Sequence, residues 1–262
     1  PSTSPHASSG AGQAVRARAF IRRTIELAAD EVHPIDGGWV LRTPSLPDVW
    51  NLNHVRIAGP TPLGAALTVA NRHLGDLPYR HIVLEHDPTG AQLERPFSTG
   101  GWKVERDLLM ALAGAPQPPV TPAAVVHPSE AEMLALMRRW GAEELRSGSD
   151  QLVESSRREG RAWNERRFTV AGDDGHPAAI TKLRSDGNTA QVEDVYTVPE
   201  ARGRGFARTL VAHAAGLAQA EEHELIFIVA DDDDWPKQLY GEIGFAPIGR
   251  IRAFHRDTEP RH

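Results

Sequence analysis

The chain is expected to be a mixed α/β protein built as two successive units, each a mixed, mostly antiparallel sheet flanked by helices. Three observations predict this. The 262 residues suffice for two small domains at roughly 150 residues each. A proline-rich stretch with Pro116, Pro118, Pro119 and Pro122 divides them. After it, the pattern runs strand, two helices, three strands, helix, strand, helix, two strands. The expected division is a flexible tail over 1–15, an N-terminal domain over 16–113, a linker over 114–122 and a C-terminal domain over 123–262.

The elements follow from periodicity and turn chemistry. Phe20, Ile21, Ile25, Leu27 and Ala28 space one face of a helix from about Val15 to Glu31. Trp39 to Leu41 and Asn53 to Ala58 are strands. Thr61 is the expected cap and Pro62 the first residue of a helix. His81 to Glu85 is a short buried strand, and Trp102 to Leu112 is extended. Ser129, with Glu132 three residues on, forms a capping box for a helix to about Glu144. A second helix spans about Ser149 to Ala162. Strands at 167–171, 178–183 and 190–198 are joined by turns at Asp173-Asp174-Gly175 and Asp186-Gly187. A helix over 206–222, an apolar strand over 225–230, a short helix over 236–243 and two strands, at Phe245 and over 248–254, close the chain.

Composition narrows the function. With 40% apolar and 24% charged residues, the chain is an ordinary globular protein rather than a disordered one. No apolar run approaches the roughly 18 residues of a membrane span. The first residues lack an apolar signal core, so a cytoplasmic location is expected. The absence of cysteine removes disulfides, thiolate zinc sites and a cysteine nucleophile. Residues 1–115 are neutral, so the whole net charge of −6 lies in 116–262. That speaks against nucleic acid and suits a cationic or neutral small partner. The twelve histidines show no metal-ligand spacing and are expected to be structural or surface residues.

The chemistry sits in the turn Val195-Tyr196-Thr197-Val198-Pro199-Glu200-Ala201-Arg202-Gly203-Arg204-Gly205-Phe206-Ala207. A strand runs through it into a helix whose first N–H groups and dipole end suit a pyrophosphate. Gly203 and Gly205 allow close backbone approach. Arg202 and Arg204 add positive charge.

This segment resembles the GNAT acetyltransferase superfamily, whose Arg/Gln-x-x-Gly-x-Gly/Ala motif is matched by Arg202 to Ala207. Leu239-Tyr240-Gly241-Glu242-Ile243-Gly244-Phe245 matches a later family segment. The resemblance covers a little over half the chain and implies a GNAT-type sheet, expected in a tandem two-domain arrangement. It further implies that acetyl-CoA is the acyl donor, with its pantetheine arm along Val195, Tyr196 and Thr197. Its pyrophosphate would lie on Arg202, Gly203, Arg204, Gly205, Phe206 and Ala207. Tyr240 is the implied general acid. Glu193 is the first candidate base and Asp194 the second. Alternation along a strand would put Glu193, Val195 and Thr197 on one face. Family members often have an asparagine contacting the cofactor near the position of Asp233, so that contact is open here.

The implied activity is N-acetyl transfer to a primary amine by direct attack. The alternatives are a non-catalytic acyl-CoA-binding or interaction module and an acyltransferase for longer chains. Asp231 to Asp234 is either a solvated loop capping the next helix or a lure for a cationic amine; Trp235 either packs or lines the acceptor pocket. The first half, with Pro62 to Leu74 where the cofactor helix would stand, lacks the turn motif. It is expected to be a degenerate GNAT-like domain that shapes the acceptor cleft. No metal, nucleic acid or membrane partner is expected, and the chain would be a monomer or homodimer.

Overall fold

The structure, a computed structural model, describes residues 10–118, 123–144 and 149–258. In chain order its elements are α1 (Gly10–Ala28), β1 (Glu31–Ile35), β2 (Gly38–Arg42), β3 (His54–Ile57), α2 (Leu63–His73), β4 (Tyr79–Leu84), α3 (Asp87–Thr99) and β5 (Lys103–Leu112). There follow β6 (Val125–Val126), α4 (Glu130–Glu144), α5 (Ser149–Arg161), β7 (Arg166–Ala171), β8 (Pro177–Ser185), β9 (Thr189–Thr197), α6 (Phe206–Ala220), β10 (Leu225–Asp231), α7 (Pro236–Ile243) and β11 (Phe245–Asp257).

Local expectations hold where side chains specify them. Ser129 and Glu132 close the capping box: the Ser129 amide and hydroxyl both donate to Glu132 Oε2 at 2.7 Å, and the Glu132 amide donates back at 3.3 Å. Gly175 and Gly187 take the positive φ that the two hairpin turns require. Five expectations need correction. Residues 10–15 are not a tail: α1 begins at Gly10 and already buries Ala14, whereas residues 1–9 lie outside the described residues, as do 119–122 of the expected linker. That helix also stops at Ala28, and residues 31–35 pair as a strand with β2 instead. Thr61 does not cap α2, because Pro62 is the cap residue and no side chain bonds there. The short helix expected before the strand at Trp102 is longer, running over Asp87–Thr99 with Pro96 inside it. The last strand is one element, with an irregularity between Pro247 and Gly249.

All strands join one sheet, in the order β1-β2-β3-β4-β11-β5-β10-β9-β8-β7-β6. The two halves repeat a pattern: an antiparallel strand pair, then a helix leading to a parallel neighbour, then a helix and a long strand. Those long strands are exchanged. β5, from the first half, pairs with β10 of the second. β11, from the second half, pairs with β4 of the first. The two also pair with each other. Helices α2, α3, α6 and α7 cover one face; α1, α4 and α5 cover the other. Leu109, Ala111, Phe227, Ile251 and Ala253 meet Ala17 and Phe20 of α1 in a core built from both halves.

The exchange carries a stability prediction. Residues 123–262 expressed alone would leave β10 without its partner and expose a long unpaired apolar edge. Circular dichroism and size-exclusion chromatography are expected to show an aggregated or unfolded fragment, restored by adding residues 1–118. A monodisperse, folded fragment would contradict the exchanged pairing.

Candidate functional site

Strands β9 and β10 pair in parallel only from Thr189–Leu225 to Val192–Ile228. Beyond that they separate. A bulge opens the gap: the β8–β9 register shifts between Ile180 and Lys182, and Asp194 sits opposite it at φ 53°. The bulge consumes one residue and resets the alternation. Glu193 therefore faces the α1 side, whereas Val195 packs with the α6 cluster. The expectation of one shared face for Glu193, Val195 and Thr197 does not survive it. In the first half, by contrast, β3 and β4 stay paired to their ends, and the Glu85 amide bonds Ile57 O at 2.9 Å. No gap opens there.

A cavity of about 450 Å³ lies at the gap on the α6 side. It is lined by Val195, Tyr196, Thr197, Arg202, Gly203, Gly205, Phe206 and Ala207, and by Tyr240 from α7. These nine expected residues are thus brought together. Gly203 and Gly205 have φ of 78° and 79°, a region that favours glycine, and neither faces an atom within 4 Å where a Cβ would stand. Gly205 is the cap residue of α6 and supplies no side chain, so the first helical N–H groups point into open space. Thr197 Oγ1 is buried without a hydrogen-bond partner. An uncapped helix start, two bare glycines and an orphaned hydroxyl in one cavity fit an extended phosphorylated ligand such as acetyl-CoA.

The two arginines of the motif differ. Arg202 Nε donates to Thr197 O at 3.1 Å and its Nη2 to Glu143 at 3.0 Å, which fixes it at the cavity rim. Arg204 turns away to Asp173 at 2.5 Å and does not line the cavity. Asp233 also lies outside the lining: Arg106 of β5 holds it at 2.6 Å, and the neighbouring Asp234 lines the cavity instead. Asp232 is matched by Lys237 and Arg250. Ion pairs thus neutralise much of the acidic run. Sequence reasoning missed Arg208 and Trp140 as lining residues. Trp140 stacks on Tyr196 at 5.8 Å, and the Tyr196 hydroxyl bonds Glu143 at 2.6 Å.

The titratable groups separate in character. Burial, and then the adjacent Asp194, push the Glu193 carboxyl up to about 8. Burial also works to raise Asp194, but Lys182 and Arg184 outweigh it and hold Asp194 below its ordinary value. Asp194 forms an ion pair with the fully buried Lys182. The Tyr240 phenol is raised by burial and by the charge of Glu193, so it stays protonated near neutral pH. Among the described residues, it has no hydrogen-bond partner.

On the opposite face, Glu193 enters a second cavity of about 300 Å³, shared by both halves. His54, Arg56 and His81 line it from β3 and β4, and Asp107 from β5. His54 and His81 have ring centroids 5.7 Å apart; Trp50 stacks on His255 at 3.6 Å beside them. Three strands distant in the chain supply these histidines, so no sequence spacing marked them. No group of three or more metal-ligating side chains occurs among the described residues. No helix among them is long and apolar enough to cross a membrane.

The model of the acetyltransferase (GNAT) family matches residues 134–245, which span α4 to the start of β11 and include both the turn and Tyr240. The C-terminal half carries a GNAT domain. Solved structures agree on the fold. A GCN5-related N-acetyltransferase from Kribbella flavida matches with a TM-score of 0.64 at 16% identity, over 98% of each chain. A conserved protein of unknown function from Staphylococcus epidermidis matches with a TM-score of 0.67 at 12% identity, over 88% of this chain and 95% of that one. A tandem GNAT protein from the clavulanic acid biosynthesis pathway matches with a TM-score of 0.53 at 14% identity, over 86% and 80%. No curated protein matches the sequence. The GNAT assignment supports acyl transfer from an acyl-CoA in general terms.

Proposed function

We propose that the protein is an acetyl-CoA-dependent N-acetyltransferase acting by direct attack of an amine on the thioester. The carrying observation is that Glu193 and Tyr240 flank the gap between β9 and β10, one lining each of the two cavities, and that the charge of Glu193 reaches Tyr240 and helps to raise its phenol. The α6 N–H groups, with Gly203 and Gly205, hold the pyrophosphate, and Arg202 screens its charge at the rim. The unpaired backbone of Val195 to Thr197 takes the pantetheine arm as an added strand.

In the transfer, the amine nitrogen forms a bond to the acetyl carbon as the carbon–sulfur bond breaks. Ionised Glu193 removes the proton from the amine, and Tyr240 gives its proton to the departing sulfur. Asp194 is fully committed to Lys182 and Arg184 and is a weaker base, so we assign it to positioning the bulge. No residue forms a covalent intermediate. The N-terminal half lacks a gap of its own and instead completes the sheet and the second cavity.

Tyr240→Phe tests the acid. A thiolate leaves more readily than an alkoxide because its conjugate acid has a pKa of about 8.5, so the expected loss in kcat is only about 10-fold. Acetyl-CoA affinity by calorimetry should be nearly unchanged. Equal kcat in the variant would remove Tyr240 as the acid.

A further inference from the structure

The second cavity is not shaped for a simple amine. Arg56 is only 3% exposed. Its Nε is bound to Glu85 at 2.5 Å, but its Nη2 is buried and has no hydrogen-bond partner. His81 Nδ1, on the next strand and lining the same cavity, is also buried without a partner. Burial and the nearby His255 hold His81 down to about 3, so it is a neutral imidazole. Both ring nitrogens of His54 and Nη2 of Arg184, in the same lining, are likewise buried without a hydrogen-bond partner, and unmet polar atoms around one cavity are costly unless a ligand meets them. Asp107 brings the opposite character. Among the described residues its carboxylate accepts no hydrogen bond, and burial with the neighbouring Glu105 raises it to about 6.

We propose that this cavity is the acceptor site and that the acceptor is an amine that also bears a carboxylate, an amino acid being the simplest case. Its ammonium faces Asp107 and Glu193, and its carboxylate takes the open Nη2 donor of Arg56. An amine without a carboxylate would answer the acids but leave Arg56 unmet. A simple carboxylic acid would set like charges against Asp107 and Glu193. The zwitterion answers both. In this arrangement β3 and the exchanged β5 make the N-terminal half part of the substrate site. The role of Glu193 here rests on the acetyl-transfer reading; the ligand class rests on Arg56, His81 and Asp107.

The test is calorimetry on the full chain with the standard amino acids, each paired with the amine it yields on loss of its carboxylate. At least one amino acid is expected to bind at least 10-fold tighter than its paired amine. Arg56→Lys keeps a cation for Glu85 but loses the forked donor, and should weaken that amino acid by about 10- to 100-fold, the range for one charge-assisted hydrogen bond. Acetyl-CoA affinity should not change. The proposal is overturned by paired amines binding as tightly as the amino acids, by no amino acid binding, or by an Arg56→Lys variant with unchanged preference. The wild-type pairs decide it even if the variant does not fold. Thiol release is measured on the same samples. Selective amino acid binding without release supports the ligand class and counts against the transfer reading alone.

Discussion

Gly205→Glu is expected to weaken acetyl-CoA binding by at least 100-fold. The residue caps α6 at φ 79° with nothing within 4 Å of its Cβ position. Any side chain there costs roughly 1 kcal/mol of backbone strain, but a carboxylate does more. It occupies the one place where N–H groups and the positive end of the helix dipole await an anion. It therefore both fills the cradle and repels the pyrophosphate. Gly205→Ala separates the contributions: it bears the strain without the charge, and only a several-fold loss is expected. Arg202→Ala should fall between them, near 10-fold, because Arg202 is more than half exposed and already bound to Glu143 and Thr197. Calorimetric titration of acetyl-CoA measures all three. Equal affinities in wild type and Gly205→Glu would place the cofactor elsewhere.

Glu193→Gln is expected to lower kcat by 100-fold or more, the range for losing a positioned base, and to leave acetyl-CoA affinity intact. The pH profile carries the sign. The carboxyl is raised to about 8 by burial and Asp194, and only its ionised form accepts a proton. The wild-type rate should therefore rise with pH and level off above about 8, a limb the variant lacks. Stability moves the other way. A carboxyl raised in the folded state contributes stability that is complete below its unfolded value near 4.5 and is lost as pH rises through about 8. Glu193→Gln removes that loss. The variant should melt above wild type at pH 9, and the two should converge at pH 4. A base that weakens the fold at its working pH is a common compromise of active sites. A variant that melts below wild type at pH 9 would show that Glu193 is instead a stabilising charge.

What the sequence disclosed was local. The turn from Val195 to Ala207, the capping box of Ser129 and Glu132, and the helix of Tyr240 each depend on residues a few positions apart. Their chemistry is written in order along the chain. The exchange of β5 and β11 is not, because the apolar pattern of a strand does not say which neighbour it pairs with. Only the pairing shows that Asp107 and Arg56 belong to the same site as Glu193. The bulge at Asp194 had no glycine or asparagine to announce a positive φ. It is held by the ion pair to Lys182 across the strand, and without it alternation gave the wrong faces. The full length of helix α3 was hidden by Pro96, whose break in the helical pattern is tolerated where β5 and β11 pack against it. Asp233 could be placed only once Arg106, 127 residues away along the chain, was seen to hold it.

Thiol release from acetyl-CoA, measured against pH with amino acids as acceptors, tests the central claim most directly. The expected result is one thiol released per acetylated amine, at a rate that climbs to a plateau above pH 8, with no acetyl group left on the protein. Binding of acetyl-CoA without thiol release for any amine at any pH would contradict it, and would leave the cavity at the turn as a non-catalytic acyl-CoA site.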